Sequence, residues 1–165
     1  MEHKTDSACF TGHRNIAQKD ALLLPSALNR VTENLILKGV SHFRAGGAIG
    51  FDTIAALCVL ELRQIYPQIA LDLILPCKDQ SGAWDELNKR TYNYILSNAD
   101  SAEYISDKYT AGCMYERNRR LVDGSKYCIA YCTHNSGGTA YTCSYASKQN
   151  IEIINIYDIL RRNTP

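Results

Sequence analysis

The sequence predicts an α/β fold of the Rossmann-like, doubly wound type, with a mostly parallel sheet and helices on both faces. Three observations support this fold class. Short apolar segments typical of strands alternate with longer helical segments along the whole chain. These helical segments are long enough for the right-handed crossovers that parallel strands require. Glycine-bearing loops follow several predicted strands. We expect a single domain over residues 1–165.

The first half of the chain contains three predicted strands and the helices that follow two of them. Leucines and a valine recur at helical spacing after the first strand, with Pro25 either opening or kinking that helix and Gly39 ending it. Residues 52–66 are apolar almost all round, as expected of a helix packed tightly on a sheet, and Pro67 ends this helix. The predicted strands are SACFTG, HFRAGG and ALDLIL, the last closed by Pro76.

The second half continues the same alternation. An amphipathic helix is predicted over WDELNKRTYNYILSN, and a second over GCMYERNRRLVDG, which ends at Gly124. A third is predicted over GGTAYTCSYASKQN. The remaining DILRRNTP is either a short helix or a frayed tail. The predicted strands between these helices are SAEYIS, KYCIAYC and IEIINIY.

Composition limits the classes of function that this chain fits. Its 165 residues are 45% hydrophobic and carry a formal net charge of +1. That charge is too small for a general electrostatic hold on nucleic acid or a membrane, although a local basic patch stays open. No apolar run approaches the roughly 18 residues of a membrane span, and MEHKTDSACF lacks an apolar signal core. We therefore expect a cytoplasmic protein.

The cysteines predict neither a disulfide framework nor a metal site. All seven are scattered without a C-x-x-C pair. Cys128 and Cys132 lie four residues apart on a predicted strand, but no second pair of ligands accompanies them. We expect buried thiols, no metal and no cofactor.

Three predicted strands end in loops that suit a phosphate-sized anion: FTGHR, RAGGAIGFDT and THNSGGT. In a parallel sheet the carboxyl ends of the strands meet at one edge, and ligands bind where the strand order reverses. Glycines let the backbone approach a ligand closely, and N–H groups at a helix start favour an anion. The expected ligand-binding residues in these loops are Thr11, Gly12, Arg14, Gly46, Gly47, Gly50, Asp52, Ser136, Gly137, Gly138 and Thr139.

Each of these features also has a plainer interpretation. A glycine turn after a strand is often only tight loop chemistry, and GGAIG lacks the G-x-G-x-x-G spacing of dinucleotide sites. Asp52 either caps the following helix, which we favour, hydrogen-bonds a ribose hydroxyl or positions a loop. His13 is more often a hydrogen-bonded loop histidine than a catalyst. Trp84, the only tryptophan, is more often a packing residue than a stacking surface.

The basic run RNRR begins at Arg117. A solvated basic helix face is the default interpretation of such a run. Arg117 and Asn118 come early enough in the predicted helix to reach the strand edge, where a guanidinium would suit a phosphate or carboxylate. We expect both in the site, with Arg117 making a surface contact.

Taken together, FTGHR, GGAIGFDTIA, MYERNRRLVDGSKYCIAY and SGGTAYTCSYA resemble the SLOG superfamily, in the same order along the chain. That superfamily joins the DNA-processing protein A family to the Lonely Guy phosphoribohydrolases. The best match resembles the small stand-alone YspA/YoqJ-like branch and covers Cys9 to about Ile156. The resemblance implies a Rossmann-like pocket for a nucleotide-derived ligand such as a nucleoside monophosphate or an ADP-ribose relative.

Two departures from the relatives bear on activity. Phosphoribohydrolases resemble PGGxGTxxE at the fifth loop, whereas Ser136 here replaces the proline, Ala140 replaces a glycine, and no carboxylate occurs between residues 133 and 151. Hydrolysis of an N-glycosidic bond calls for a carboxylate near the reacting carbon, so Glu116 and Asp52 are the remaining catalytic candidates.

The RNR motif and the fifth loop are closer to the DNA-processing branch, whose members grip single-stranded DNA with more positive charge.

The sequence therefore favours a binding module that senses or carries a small nucleotide-like anion. The alternatives are a nucleotide N-glycosidase with a displaced carboxylate and a weak single-stranded nucleic-acid binder. A homodimer is compatible with the fold, and no membrane partner is expected.

Overall fold

The computed structural model describes residues 6–163, so residues 1–5 and 164–165 of the expected domain lie outside the described part. Six strands and seven helices occur between these limits. The strands are β1 (Ser7–Gly12), β2 (His42–Ala45), β3 (Ala70–Cys77), β4 (Ser101–Ser106), β5 (Tyr127–Tyr131) and β6 (Glu152–Asn155). The helices are α1 (Gln18–Ala21), α2 (Leu24–Leu37), α3 (Phe51–Arg63), α4 (Glu86–Asn98), α5 (Cys113–Asp123), α6 (Gly137–Lys148) and α7 (Ile156–Arg162).

All six strands form one parallel sheet in the order β4-β3-β2-β1-β5-β6. The chain adds β2, β3 and β4 on one side of β1 and then returns to add β5 and β6 on the other. This reversal places the topological switch point between β1 and β5. Gly12 pairs with Tyr131 at the last residue of each strand, so the two strands end side by side. The predicted α/β, doubly wound fold is confirmed.

The sheet separates two apolar layers. Side chains alternate along β1, so Phe10 faces the layer formed with α2, α3, α4 and α7, whereas Cys9 faces the layer formed with α5 and α6. The first layer is the larger and contains the fully buried Phe43, Phe51 and Tyr131. Both faces of the sheet are therefore covered, as parallel sheets require. Within residues 6–163, no helix is both long and apolar enough to cross a bilayer.

Local chemistry explains where several helices begin and end. Asp85 caps α4, because its carboxylate accepts a hydrogen bond of 2.9 Å from a backbone N–H in the first turn. Pro25 lies in the first turn of α2, where a missing N–H costs nothing, so it opens the helix. At the end of α5, Arg44 donates to the carbonyl oxygen of Arg120 at 3.0 Å. Gly124 leaves room for that guanidinium, which a Cβ would overlap.

Three element boundaries differ from the predictions. The sequence does not indicate α1, because four residues are too few to show a helical period. β3 continues through Pro76 instead of ending there. Its partner β2 stops at Ala45, opposite Leu73, so β3 has a neighbour on one side only where the proline lacks its N–H. The predicted sixth strand runs to Tyr157, whereas β6 ends at Asn155 and Ile156 begins α7, which extends to Arg162.

Candidate functional site

A pocket of about 260 Å³ opens at the switch point, beyond the carboxyl ends of β1 and β5. Its walls come from the loop after β1, the loop after β2, the inner face of α5 and the start of α6. The residues that line it are Phe10, Thr11, Gly12, His13, Arg14, Ala48, Asp52, Met114, Arg117, Asn118, Leu121, Gly138 and Thr139.

The loop after β1 is tied to the loop before α6 through His13. The Nε2 atom of His13 accepts a hydrogen bond of 3.0 Å from the backbone N–H of Thr133. Its ring stacks on His134, with the ring centroids 4.3 Å apart and the planes 5° from parallel. Burial, and then repulsion from His134, lowers the pKa of His13. Since Nε2 already accepts from the backbone, His13 acts as a hydrogen-bonded loop histidine in this structure.

The first turn of α3 carries a buried carboxylate into the pocket. Asp52 is 6% exposed and accepts a hydrogen bond of 3.2 Å from the backbone N–H of Ala48. Burial raises the pKa of Asp52, and the charges of Arg117 and Arg14 and the Ala48 hydrogen bond oppose that rise. The interpretation of Asp52 as the cap of α3 is wrong. Gly50 holds the N-cap position with a φ of 88°, and Asp52 lies in the first turn and bonds back to the loop.

Arg117 lies beneath the pocket and not at the surface as expected. It is 5% exposed, because it lies with Cys113 and Leu121 on the buried face of α5, which packs on β1 and β3. Its Nη1 donates to the carbonyl oxygen of Gly46, and its Nε donates to Oδ1 of Asn118 at 2.8 Å. Burial lowers the pKa of Arg117, whereas the nearby Asp52 raises it. A Cβ at Gly46 would lie 2.7 Å from Nη1 of Arg117 and 3.0 Å from Oδ2 of Asp52, so only glycine fits between them.

The start of α6 borders the pocket. Ser136 holds the N-cap position, but no side chain caps the helix, and its first turn contains no acidic residue. The first N–H groups of a helix have no intrahelical acceptor and carry a partial positive charge. Gly138 and the buried Thr139 line the pocket at this point. Asn118 lies opposite, with its amide nitrogen 3.8 Å from the position of a Cβ on Gly138.

The structure brings together eight of the predicted ligand-binding residues: Thr11, Gly12, Arg14, Asp52, Arg117, Asn118, Gly138 and Thr139. The other five do not line the pocket. Gly46 accepts a hydrogen bond from Arg117. Gly47 lies against Leu75, and Gly50 packs on the backbone of Arg14. Ser136 and Gly137 lie just outside, at the exposed start of α6.

Five residues that line the pocket were not predicted as ligand-binding residues: Phe10, His13, Ala48, Met114 and Leu121. Met114, Arg117, Asn118 and Leu121 follow the i, i+3, i+4, i+7 spacing of one helix face. That spacing would have identified the inner face of α5, but the charged run RNRR suggests a solvated face instead.

The two catalytic candidates have different surroundings. Asp52 lines the pocket, whereas Glu116 is exposed on α5, with its carboxylate 3.9 Å from Arg120, and does not line the pocket. Among residues 6–163, no group of three or more histidines, cysteines, aspartates or glutamates is arranged to hold a metal ion.

A model of the YspA SLOG family matches residues 9–160. The chain belongs to that family. It is 31% identical over 140 residues to the uncharacterised SPbeta prophage-derived protein YoqJ of Bacillus subtilis, covering 77% of this chain and 82% of the relative. The predicted membership of the SLOG superfamily is confirmed.

Two solved structures share the fold. DNA processing protein A from Streptococcus pneumoniae superposes with a TM-score of 0.64 at 16% identity, covering 89% of this chain and 48% of that protein. The protein of the same name from Helicobacter pylori, which binds single-stranded DNA, superposes with a TM-score of 0.61 at 18% identity. That superposition covers 89% of this chain and 63% of the Helicobacter protein. Both are therefore longer than this chain, and the likeness extends to the fold alone.

Proposed function

We propose that this protein binds a small nucleotide-derived anion, such as a nucleoside monophosphate or an ADP-ribose relative, with its phosphate at the switch-point pocket. The observation that carries the proposal is the buried guanidinium of Arg117, next to an uncapped helix start. A fixed guanidinium with backbone N–H donors is a common arrangement for holding phosphate oxygens.

The charges around the pocket support an anion over a cation. Two cationic side chains, Arg14 and Arg117, line it beside one carboxyl group, Asp52. Burial, and after it repulsion from Arg14, lowers the pKa of Arg117, and both guanidinium groups line the pocket, where one ligand can contact them together. A phosphate between them would relieve that repulsion.

Membership of the SLOG superfamily fits a nucleotide-related function. A mononucleotide is favoured over a nucleic-acid strand, because the formal net charge of +1 gives little of the long-range attraction on which strand binding relies. Binding of single-stranded DNA is known for the Helicobacter protein, which is a longer chain.

The test is isothermal titration calorimetry of the wild type and Arg117→Gln with adenosine monophosphate. Glutamine keeps an amide that can donate to Gly46, so the variant should fold, but it removes the charge. We expect affinity to fall roughly 10- to 100-fold, the usual effect of losing a hydrogen bond to a charged group. Arg120→Gln is the matched control, because Arg120 lies on the same helix, is exposed and pairs with Glu103.

Equal affinity in the wild type and Arg117→Gln would remove Arg117 from the site and contradict the proposal. The titration mixtures should also be analysed for free adenine. Adenine release by the wild type that is lost in Asp52→Asn would show that the pocket hydrolyses its ligand and does not only bind it.

A further inference from the structure

The pocket is too small to enclose a whole nucleotide. Its volume of about 260 Å³ is below the range of roughly 300–1,000 Å³ that encloses drug-sized ligands. The guanidinium groups of Arg14 and Arg117 line it together with the start of α6, so the phosphate end of a nucleotide suits the interior. If the proposed function holds, the base lies outside, against a surface beside the pocket.

Two tyrosines form such a surface where α5 packs on α6. The rings of Tyr115 and Tyr141 form a T-shaped pair, with the ring centroids 4.7 Å apart and the planes at 79°. Tyr115 is 46% exposed, so much of its ring is open to a ligand. Asn118 lies one turn further along α5 and lines the pocket, as does Met114, the residue before Tyr115. The tyrosine pair therefore continues directly from the pocket wall.

Arg119 holds this pair in place. Its Nη1 donates a hydrogen bond of 2.9 Å to the hydroxyl of Tyr141, and that bond raises the pKa of Arg119. Arg119 lies four residues after Tyr115, on the same face of α5, so a positive charge accompanies the ring. An anchored ring loses little freedom when a ligand stacks on it, and a neighbouring guanidinium strengthens stacking with a base.

The stacked imidazoles at the other side of the pocket are the rival surface. His13 uses one face of its ring against His134 and meets the ring of Tyr131 edge-on, with centroids 6.1 Å apart. Its ring is therefore already occupied by the protein. His134 is exposed, but it stacks on His13 and hydrogen-bonds to Thr133, in a loop that serves to tie two segments together.

From this geometry we propose that Tyr115 stacks on the base of a mononucleotide whose phosphate occupies the pocket. This proposal rests on the function proposed above and adds the surface that recognises the base. It predicts that the base and the phosphate contribute to affinity through separate residues.

Calorimetry with two ligands tests this separation. Adenosine monophosphate carries the base, whereas ribose 5-phosphate lacks it but keeps the phosphate. We expect Tyr115→Ala to weaken binding of adenosine monophosphate roughly 5- to 150-fold, the usual effect of removing one stacking ring, and to leave ribose 5-phosphate binding unchanged. Tyr115→Phe should retain the affinity for both ligands. Tyr94→Ala is the control, because Tyr94 is also an exposed tyrosine but lies on α4, away from the pocket.

The outcomes separate the two proposals. Unchanged affinity for adenosine monophosphate in Tyr115→Ala, with a loss in His134→Ala, would overturn the role of Tyr115 and leave the phosphate pocket standing. An equal loss for both ligands in Tyr115→Ala would also overturn it, because the tyrosine would then act through the pocket's shape. If the wild type binds neither ligand, the proposed function fails, and the stacking surface fails with it.

Discussion

Gly46 is the residue that lets Asp52 and Arg117 share one buried space. Its carbonyl oxygen accepts from Arg117, and the absence of a Cβ keeps the two charged groups within mutual influence. Burial raises the pKa of Asp52 and lowers that of Arg117, and each charge opposes the shift of the other. Buried groups held at this cost are typical of functional sites. A glycine outside the pocket thus determines the chemistry inside it.

His13 makes the stability of the folded protein depend on pH. Its Nε2 accepts from the N–H of Thr133 only while the ring is neutral, and protonation would also place a charge against His134. Because the pKa of His13 is lowered by folding, its stabilising contribution is fully present above the unfolded pKa of about 6.5. That contribution is lost as the pH falls through the lower folded-state pKa.

We therefore predict that the melting temperature of the wild type falls between pH 7 and pH 5.5 more than that of His13→Gln. The glutamine carbonyl can accept from Thr133 and does not titrate. At pH 8, where both side chains are neutral, the two proteins should have similar melting temperatures. Thermal melts across this pH range measure the difference, and parallel curves would show that His13 does not titrate with folding.

At the scale of elements, a buried cluster fixes the C-terminal helix to the start of the chain. Asp20 of α1 accepts a hydrogen bond of 2.5 Å from the hydroxyl of Tyr131. It also forms an ion pair with Arg161 of α7. Burial acts to raise the pKa of Asp20, but the bonds from Tyr131 and Arg161 outweigh it, so the pKa is lowered. Arg161 also lies over the ring of Tyr157 at 4.4 Å. Four residues from three elements thus hold α1, β5 and α7 together.

Asp20→Asn should lower the free energy of unfolding at pH 7 by about 2–3 kcal/mol, because it removes hydrogen bonds to a buried charge. Urea unfolding measures this loss. Since the pKa of Asp20 is lowered by folding, the loss should shrink as the pH falls below about 4, where the carboxylate of the unfolded chain is protonated, and should be smallest below the lower pKa of the folded protein.

Asp107→Asn is the control, because Asp107 forms an exposed ion pair with Lys78, and such pairs contribute less than about 1 kcal/mol. Losses of equal size in the two variants would show that burial adds nothing to the Asp20 cluster.

At the scale of the whole molecule, the alternation of strand and helix signals was enough to predict the fold. The positions of the loops also followed, because parallel strands bring their carboxyl ends to one edge whatever their order. The sequence could not predict how deeply individual side chains are buried. Arg117 reads as part of a solvated basic run, and only the packing of α5 on the sheet buries it.

The same limit applies to Asp52 and to the glycines. A preferred N-cap residue at the start of a helix predicts a cap, but the positive φ of Gly50 shifts the helix start and turns Asp52 back to Ala48. Gly46, Gly47 and Gly50 were predicted to face a ligand, whereas each instead accommodates a neighbouring protein group. Local sequence therefore predicted which loops border the pocket but did not determine which atoms face it.

Nuclear magnetic resonance of ¹⁵N-labelled protein, titrated with adenosine monophosphate, tests the anion pocket most directly. If the ligand binds in this pocket, the backbone amides of Gly138 and Thr139 and the Nε resonance of Arg117 should show saturable shifts. Saturable shifts confined to another region, such as the groove between α2 and α3, would contradict it, as would shifts that never saturate.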